Sequence, residues 1–294
     1  MERKRIANQT SMTAQWTCLA RAVAALEPDP PYHGPDYLAP RLLPAGLAWL
    51  LRLAPARRFF RRMGAPGIHE YVLARTKFID AACQRALAEG FSQVLILGAG
   101  FDTRSFRFTG LAPGARFFEL DVAATQEAKR GQLRKRGLAE PPTLAFVAQD
   151  LEENDLAGRL VRAGFAPGRT SLFLAEGLFM YLEPPAVDRL FHQLRDLAGP
   201  GSRLVFDYVH GSVLGGGNRY HGQADILARV AKAGEKWRFG IAEGTLETFL
   251  AARGWRLQDQ MDAAALEAAY FQDDQGRSVG RVNGVHALAI AQRM

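Results

Sequence analysis

The sequence predicts an α/β protein: a Rossmann-like, mainly parallel, doubly wound sheet with an N-terminal helical cap. Three observations carry this. From residue 92 onward, short apolar runs alternate with stretches of helical periodicity, the pattern of a parallel sheet with crossover helices. The first run, Val94 to Leu97, stops abruptly at Gly98-Ala99-Gly100, a turn that lets a ligand approach the backbone closely. Acids follow the successive runs: Asp102, then Glu119 and Asp121, then Asp150, then Glu176.

A chain of 294 residues, 48% of them apolar, can bury one large core. We read residues 1–294 as one domain, with a helical cap over 1–90 and an α/β core over 91–294 that carries a lid insertion near 211–250. Charged residues make up 23%, an ordinary globular share. The two cysteines, Cys18 and Cys83, show neither metal-ligand spacing nor a disulfide framework, so no metal and a reducing cytoplasmic setting are expected. No apolar run approaches the roughly twenty residues of a membrane helix, and no signal-type apolar stretch follows Met1 to Arg5, so no membrane partner is expected. The net charge of +7 comes from 37 basic residues spread along the chain without interleaved aromatics. This disfavours nucleic acid as a partner. Nothing in the sequence sets an oligomeric state.

In chain order, residues 11–27 read as a helix with Trp16, Leu19, Ala20 and Val23 on one face. Residues 28–35 are a proline-rich break. Residues 47–60 read as a second helix that Pro55 should kink or divide. Residues 69–89 read as a third, stopped by Gly90. Strands are expected at 94–97, 116–120, 143–148, 171–175 and 203–206, with helices at 123–136, 156–163 and 184–198 between them. Beyond Asp207, residues 211–218 carry four glycines and read as a flexible loop. Helices at 221–232 and 244–252, a strand near Trp255 and a final strand at 285–291 complete the chain.

In an open α/β sheet, ligands bind outside the carboxyl ends of the strands. Each acid taken singly would serve equally well as a helix N-cap. Together they favour a ligand-binding edge. The layout is that of a nucleotide-binding unit in which an acid about twenty residues past the glycines bonds ribose hydroxyls. Position 103 is threonine, so the dinucleotide fingerprint G-x-G-x-x-G is absent. An acid beside the glycines would also repel a pyrophosphate. A nucleoside with a cationic tail fits better, because the negative field of the acids favours a sulfonium and an ammonium. S-adenosylmethionine is such a molecule.

Five segments then carry a resemblance: Ala74-Arg75, Val94 to Arg104, Phe118 to Asp121, Gln149-Asp150-Leu151, and Leu174 to Leu182. Across about residues 11–292 the chain resembles the leucine carboxyl methyltransferase family. It is most similar to the bacterial members, which include polyketide O-methyltransferases. The resemblance implies a class I methyltransferase sheet with S-adenosylmethionine as cofactor. It also implies that Gly98 and its neighbours, among them Gly100 and Asp102, pass under the methionine and ribose. Asp121 would take the ribose hydroxyls with Glu119 beside it, and Asp150 and Leu151 would frame the adenine. Arg75 would reach the cofactor's carboxylate, and Glu176 would line the methionine part.

The acceptor is expected to be a small molecule methylated on oxygen. A carboxylate is already ionised near pH 7, its ordinary pKa being about 4, and needs no base. A phenol would benefit from one. No dedicated base stands out, which favours a carboxylate; Tyr181, Asp207, Tyr208 and His210 are the acceptor-side candidates. His192, within an apolar helical stripe, reads as structural. A nucleotide-binding oxidoreductase and a non-catalytic cofactor-binding protein of the same fold are the alternatives. The cap helices and the 211–218 loop are expected to act as a lid over the acceptor.

Overall fold

A computed structural model describes residues 12–151 and 155–294. The basic segment from Met1 to Arg5 and the first residue of the expected 11–27 helix lie outside the described residues. Among the described residues, five cap α-helices precede the first strand: α1 (Met12–Ala25), α2 (Ala39–Leu42), α3 (Ala45–Leu50), α4 (Ala54–Arg62) and α5 (Ile68–Ala88). The sequence reading expected three. Its 47–60 helix is divided, with Pro55 in the first turn of α4, where a missing N–H costs nothing. The four-residue α2 had no periodicity to betray it. After α5, Gly90 adopts a left-handed φ of 89°, and the N–H groups of Gly90 and Phe91 close the helix on Leu87 O and Ala86 O.

The sheet begins with β1 (Gln93–Leu97), followed by α6 (Arg104–Arg107), β2 (Arg116–Asp121), α7 (Ala123–Lys135), β3 (Leu144–Ala148), α8 (Leu156–Arg162), β4 (Ser171–Ala175), α9 (Pro184–Leu197) and β5 (Arg203–Val209). Three helices follow, α10 (Gly211–Leu214), α11 (Gln223–Ala233) and α12 (Leu246–Ala251). The chain closes with β6 (Trp255–Met261), α13 (Ala263–Tyr270) and β7 (His286–Arg293). The seven strands lie in the order β3-β2-β1-β4-β5-β7-β6. The first five are parallel, and β7 runs antiparallel to both β5 and β6. The order reverses between β1 and β4, so the crevice at their carboxyl ends is the fold's natural ligand site.

Both sheet faces are covered, which is why the central strands read as continuous apolar runs. On one face Leu95, Phe118, Phe173 and Phe206 pack beneath α8, α9 and α12. On the other, Val94, Ile96, Leu174 and Val205 pack beneath α5 and α13. A third cluster, with Cys18, Ala22, Leu42, Leu51, Phe101 and Leu133, fastens the cap to the loop after β1 and to α7.

Three expectations are corrected. The strand expected at 203–206 continues to Val209, because β7 pairs with it as far as Val209 opposite His286. Asp207 and Tyr208 therefore lie inside a strand instead of beyond its end. The expected 211–218 loop begins as the short helix α10. Helix α13 was not expected; the Asp262 carboxylate caps it by accepting from Ala265 N at 2.9 Å.

Candidate active site

The glycine turn is built as the sequence implies. Gly98 and Gly100 take left-handed φ values of 59° and 48°, where a side chain is strained. Space forbids one too. A Cβ at Gly98 would lie 3.1 Å from Leu178 Cδ1, and one at Gly100 would lie 3.3 Å from Ala14 Cβ of α1. The Asp121 carboxylate faces this turn from the end of β2. Its Oδ2 accepts from Gly100 N at 2.6 Å and its Oδ1 from Val122 N at 2.7 Å. Burial raises its pKa, against the pull of those backbone donors.

Asp102 does not reach outward. Its Oδ1 accepts from Arg104 N at 2.7 Å, and its Oδ2 bonds the same guanidinium. Glu119 is fully enclosed, held by Lys129 and by the Ser105 hydroxyl. Lys129 also donates to Asp102 O, so this pair clamps the glycine loop to β2. Glu176, after β4, accepts from Arg104 at 2.6 Å and pairs with Arg75 at 3.0 Å. Burial alone would raise its pKa, but Arg75, Arg104 and Arg21 together hold it well below the usual carboxylate range.

These contacts belong to one buried network. Asp80 on α5 receives Arg104 at 2.7 Å and also binds Arg107. Asp36 receives Arg21 at 3.1 Å and the Thr103 hydroxyl at 2.6 Å. Asp207 accepts from the Arg75 guanidinium at 2.7 Å. The carboxylates Asp36, Asp80, Asp102, Glu119, Glu176 and Asp207 thus face the cations Arg21, Arg75, Arg104, Arg107 and Lys129, six against five. Within this network the negative field expected of the acids is almost neutralised, whereas Asp121 stands outside it, bonded to backbone N–H groups.

At the end of β3, Asp150 and Leu151 follow Gln149. Leu151 packs against the core beneath the sheet. Gln149 is buried, with both amide heteroatoms lacking a hydrogen-bond partner, while its backbone N–H ties β3 to Asp121 O at 2.9 Å. A buried amide left open on both sides marks a place where a ligand's own donors and acceptors complete the bonding. Beside Asp121 and Asp150, it suits a nucleoside. The residues present fit S-adenosylmethionine.

On the acceptor side, Asp207 is wholly buried, with three hydrogen bonds on its carboxylate. Oδ2 accepts from the Tyr71 hydroxyl and from Arg75, each at 2.7 Å, and Oδ1 accepts from Gly177 N at 2.6 Å. These bonds tie it to α5 and to the turn after β4. Tyr208 points to the opposite sheet face, where Gln260 donates to its hydroxyl at 2.7 Å and burial pushes its pKa up to about 12. His210 follows the strand end, stacked 4.9 Å from the Tyr220 ring, with Nδ1 buried and unpartnered. Burial lowers its pKa from the ordinary imidazole value. Tyr181, half-buried in the turn after β4, has Trp237 and Thr13 as neighbours of its hydroxyl. His286 stacks 4.1 Å from Tyr71, with Trp237 edge-on at 5.2 Å; its own Nδ1 is buried without a partner.

Sequence reasoning missed Tyr71, Arg104, Lys129, Asp80, Trp237 and His286, and it read Gln149 only as part of a segment. Tyr71 alone carried a signal, lying one helical turn before Arg75.

Sheet order, glycine turn and strand-end acids together define a class I methyltransferase that uses S-adenosylmethionine. A profile of the leucine carboxyl methyltransferases matches residues 14–195. The chain belongs to that family. A provisionally named S-adenosyl-L-methionine-dependent methyltransferase of Mycobacteroides abscessus is 34% identical over 214 residues, covering 70% of this chain and 69% of that protein. A provisionally named methyltransferase of the same kind from Mycobacterium sp. strain KMS is 30% identical, covering 97% and 96%. In fold, the chain is similar to a provisionally named methyltransferase from Thermobifida fusca, with a TM-score of 0.61 at 20% identity over 97% of this chain and 96% of that one.

Proposed function

We propose that the protein methylates an oxygen of a small metabolite, with a carboxylate as the acceptor. The observation that supports this is the engagement of Asp207: the one carboxylate inside the acceptor-side strand is buried and already accepts three bonds, one of them from Arg75. An acceptor that arrives ionised needs no base. The protein's task is then to align donor carbon and acceptor oxygen and to exclude water. When bound, the cofactor supplies the methyl group on a sulfonium.

For the cofactor, we assign Gly98 and Gly100 to the passage beneath methionine and ribose, Asp121 to the ribose hydroxyls, and Asp150 and Leu151 to the adenine, with Gln149 beside them. Arg75 keeps one buried N–H, at Nε, without a protein partner, and this donor is available to the cofactor's carboxylate. Glu176 lines the methionine part. Asp102 and Glu119 act one step back, holding the loop through Arg104 and Lys129. A phenolic acceptor is the second reading, favoured by His210, whose buried Nδ1 has no hydrogen-bond partner.

Calorimetric titration with S-adenosylhomocysteine, followed by methyl transfer from labelled cofactor to panels of carboxylic acids and phenols, tests both readings. One-site binding with a product that mild alkali hydrolyses to methanol supports a carboxylate ester. An alkali-stable ether supports the phenol. No binding by folded protein, or transfer only to nitrogen or sulfur, overturns the proposal.

A further inference from the structure

We propose that the cap carries a docking surface for an anionic lipid bilayer, formed by the turn between α3 and α4. No helix among the described residues is long and apolar enough to cross a membrane. The inference concerns attachment to a bilayer surface, and to that extent it revises the expectation of no membrane partner.

The surface is unusual in two ways at once. Helix α3 has no buried residue. Trp49 is 63% exposed, Phe59 61%, Leu53 47% and Leu50 38%, so four large apolar side chains meet solvent within one short stretch. Single exposed apolar residues are normal, whereas a cluster marks an interaction site. Within this stretch of chain the charge is of one sign. Residues 37–69 contain six arginines (41, 52, 57, 58, 61 and 62) and no aspartate or glutamate.

The turn is also held in place. Arg57 is buried, donating to the carbonyls of Leu51 and Arg52 at 3.1 and 2.9 Å and pairing with Glu27 at 3.2 Å. Arg52, Arg58 and Arg62 stay exposed beside the apolar side chains. Tryptophan, leucine and phenylalanine seated among arginines are what a headgroup layer accepts. The rings and aliphatic chains enter the acyl boundary, while the guanidiniums extend to lipid phosphates.

Charge complementarity selects this occupant over others. A symmetric dimer through this face would set the same arginines against one another. A nucleic acid would match the charge but leave Leu50 and Leu53 without apolar cover.

The test is flotation of the full-length protein with vesicles of phosphatidylcholine alone and of equimolar phosphatidylcholine and phosphatidylglycerol, with tryptophan emission recorded. The expected result is binding to the anionic vesicles only, weakened by salt, with a blue shift that Trp49→Phe abolishes. The variant Arg52→Glu/Arg58→Glu/Arg62→Glu should lower partitioning by about a hundredfold. Trp49→Ser/Leu53→Ser should lower it at least tenfold. Thermal melting and S-adenosylhomocysteine binding serve as fold controls, since none of these side chains lies in the candidate site. No flotation, equal binding to neutral vesicles, or binding untouched by both variants overturns the proposal. So does a dimer, or a complex with RNA or DNA at physiological salt, that the same variants abolish while vesicle binding is absent.

Discussion

Replacing Asp207 by asparagine separates a structural node from a catalytic base. The wild-type carboxylate accepts from Tyr71 and Arg75 at 2.7 Å each and from Gly177 N at 2.6 Å, wholly out of water. Asparagine retains one oxygen, enough for Gly177 N–H, and the Tyr71 hydroxyl can turn to accept from the new amide. Arg75 cannot adapt, because a guanidinium has no acceptor. It keeps Glu176 at 3.0 Å but loses its shorter partner. Breaking a buried pair from one side costs about 3–5 kcal/mol, and the surviving Glu176 contact puts Asp207→Asn near the lower end, at about 3 kcal/mol. With roughly 2–4 °C lost per kcal/mol in a chain of this class, the melting temperature should fall by about 6–12 °C. Urea unfolding and thermal melting without cofactor measure this. An unchanged melting temperature together with a hundredfold or greater loss of kcat would refute the reasoning and return Asp207 to the role of base.

Asp121→Ala should weaken S-adenosylhomocysteine binding by about 1–3 kcal/mol, or roughly 5- to 150-fold, by calorimetry; unaltered affinity would move the ribose to another acid. Burial alone would raise Glu176, but Arg75, Arg104 and Arg21 pull it below the usual range. Its contribution to stability is therefore complete above its unfolded pKa of about 4.3 and is lost as pH falls below that value. Urea midpoints of the wild type should accordingly drop more steeply than those of Glu176→Gln between about pH 5 and 2, whereas parallel curves would contradict the pairing. Thr13 of α1 donates to Glu235 beyond α11, joining the cap to the segment after β5. If these parts close over the ligand, hydrogen exchange in residues 12–25 and 211–218 should slow on adding S-adenosylhomocysteine, and equal rates would remove the lid.

The sheet was legible in the sequence where burial on both faces wrote it there. Val94 to Leu97 and Leu172 to Leu174 admit little other than a central strand. The last three residues of β5 were not, because Asp207 looks like a terminator until α5 supplies Tyr71 and Arg75 from more than 130 positions away. The strand-end acids were also readable, since a carboxylate just past an apolar run is a local feature. Their partners were not. Arg104 stands two residues from Asp102, yet its bonds to Asp80 and Glu176 arise only once α5 and β4 are in place. Sequence spacing shows which groups could be charged, and tertiary packing decides which charges remain for a ligand.

That last point bears on how the enzyme runs. Methyl transfer turns a sulfonium into an uncharged thioether, and a strongly anionic cleft would release the spent molecule because its charge is gone. Here Arg75 and Arg104 already answer Glu176, and Lys129 answers Glu119. If the cofactor sits at these strand ends as proposed, donor and spent product would be gripped by nearly the same contacts, and the thioether would compete with its precursor on nearly equal terms. Throughput would then follow the ratio of the two molecules, and the rate would report how well the methyl supply is being replenished.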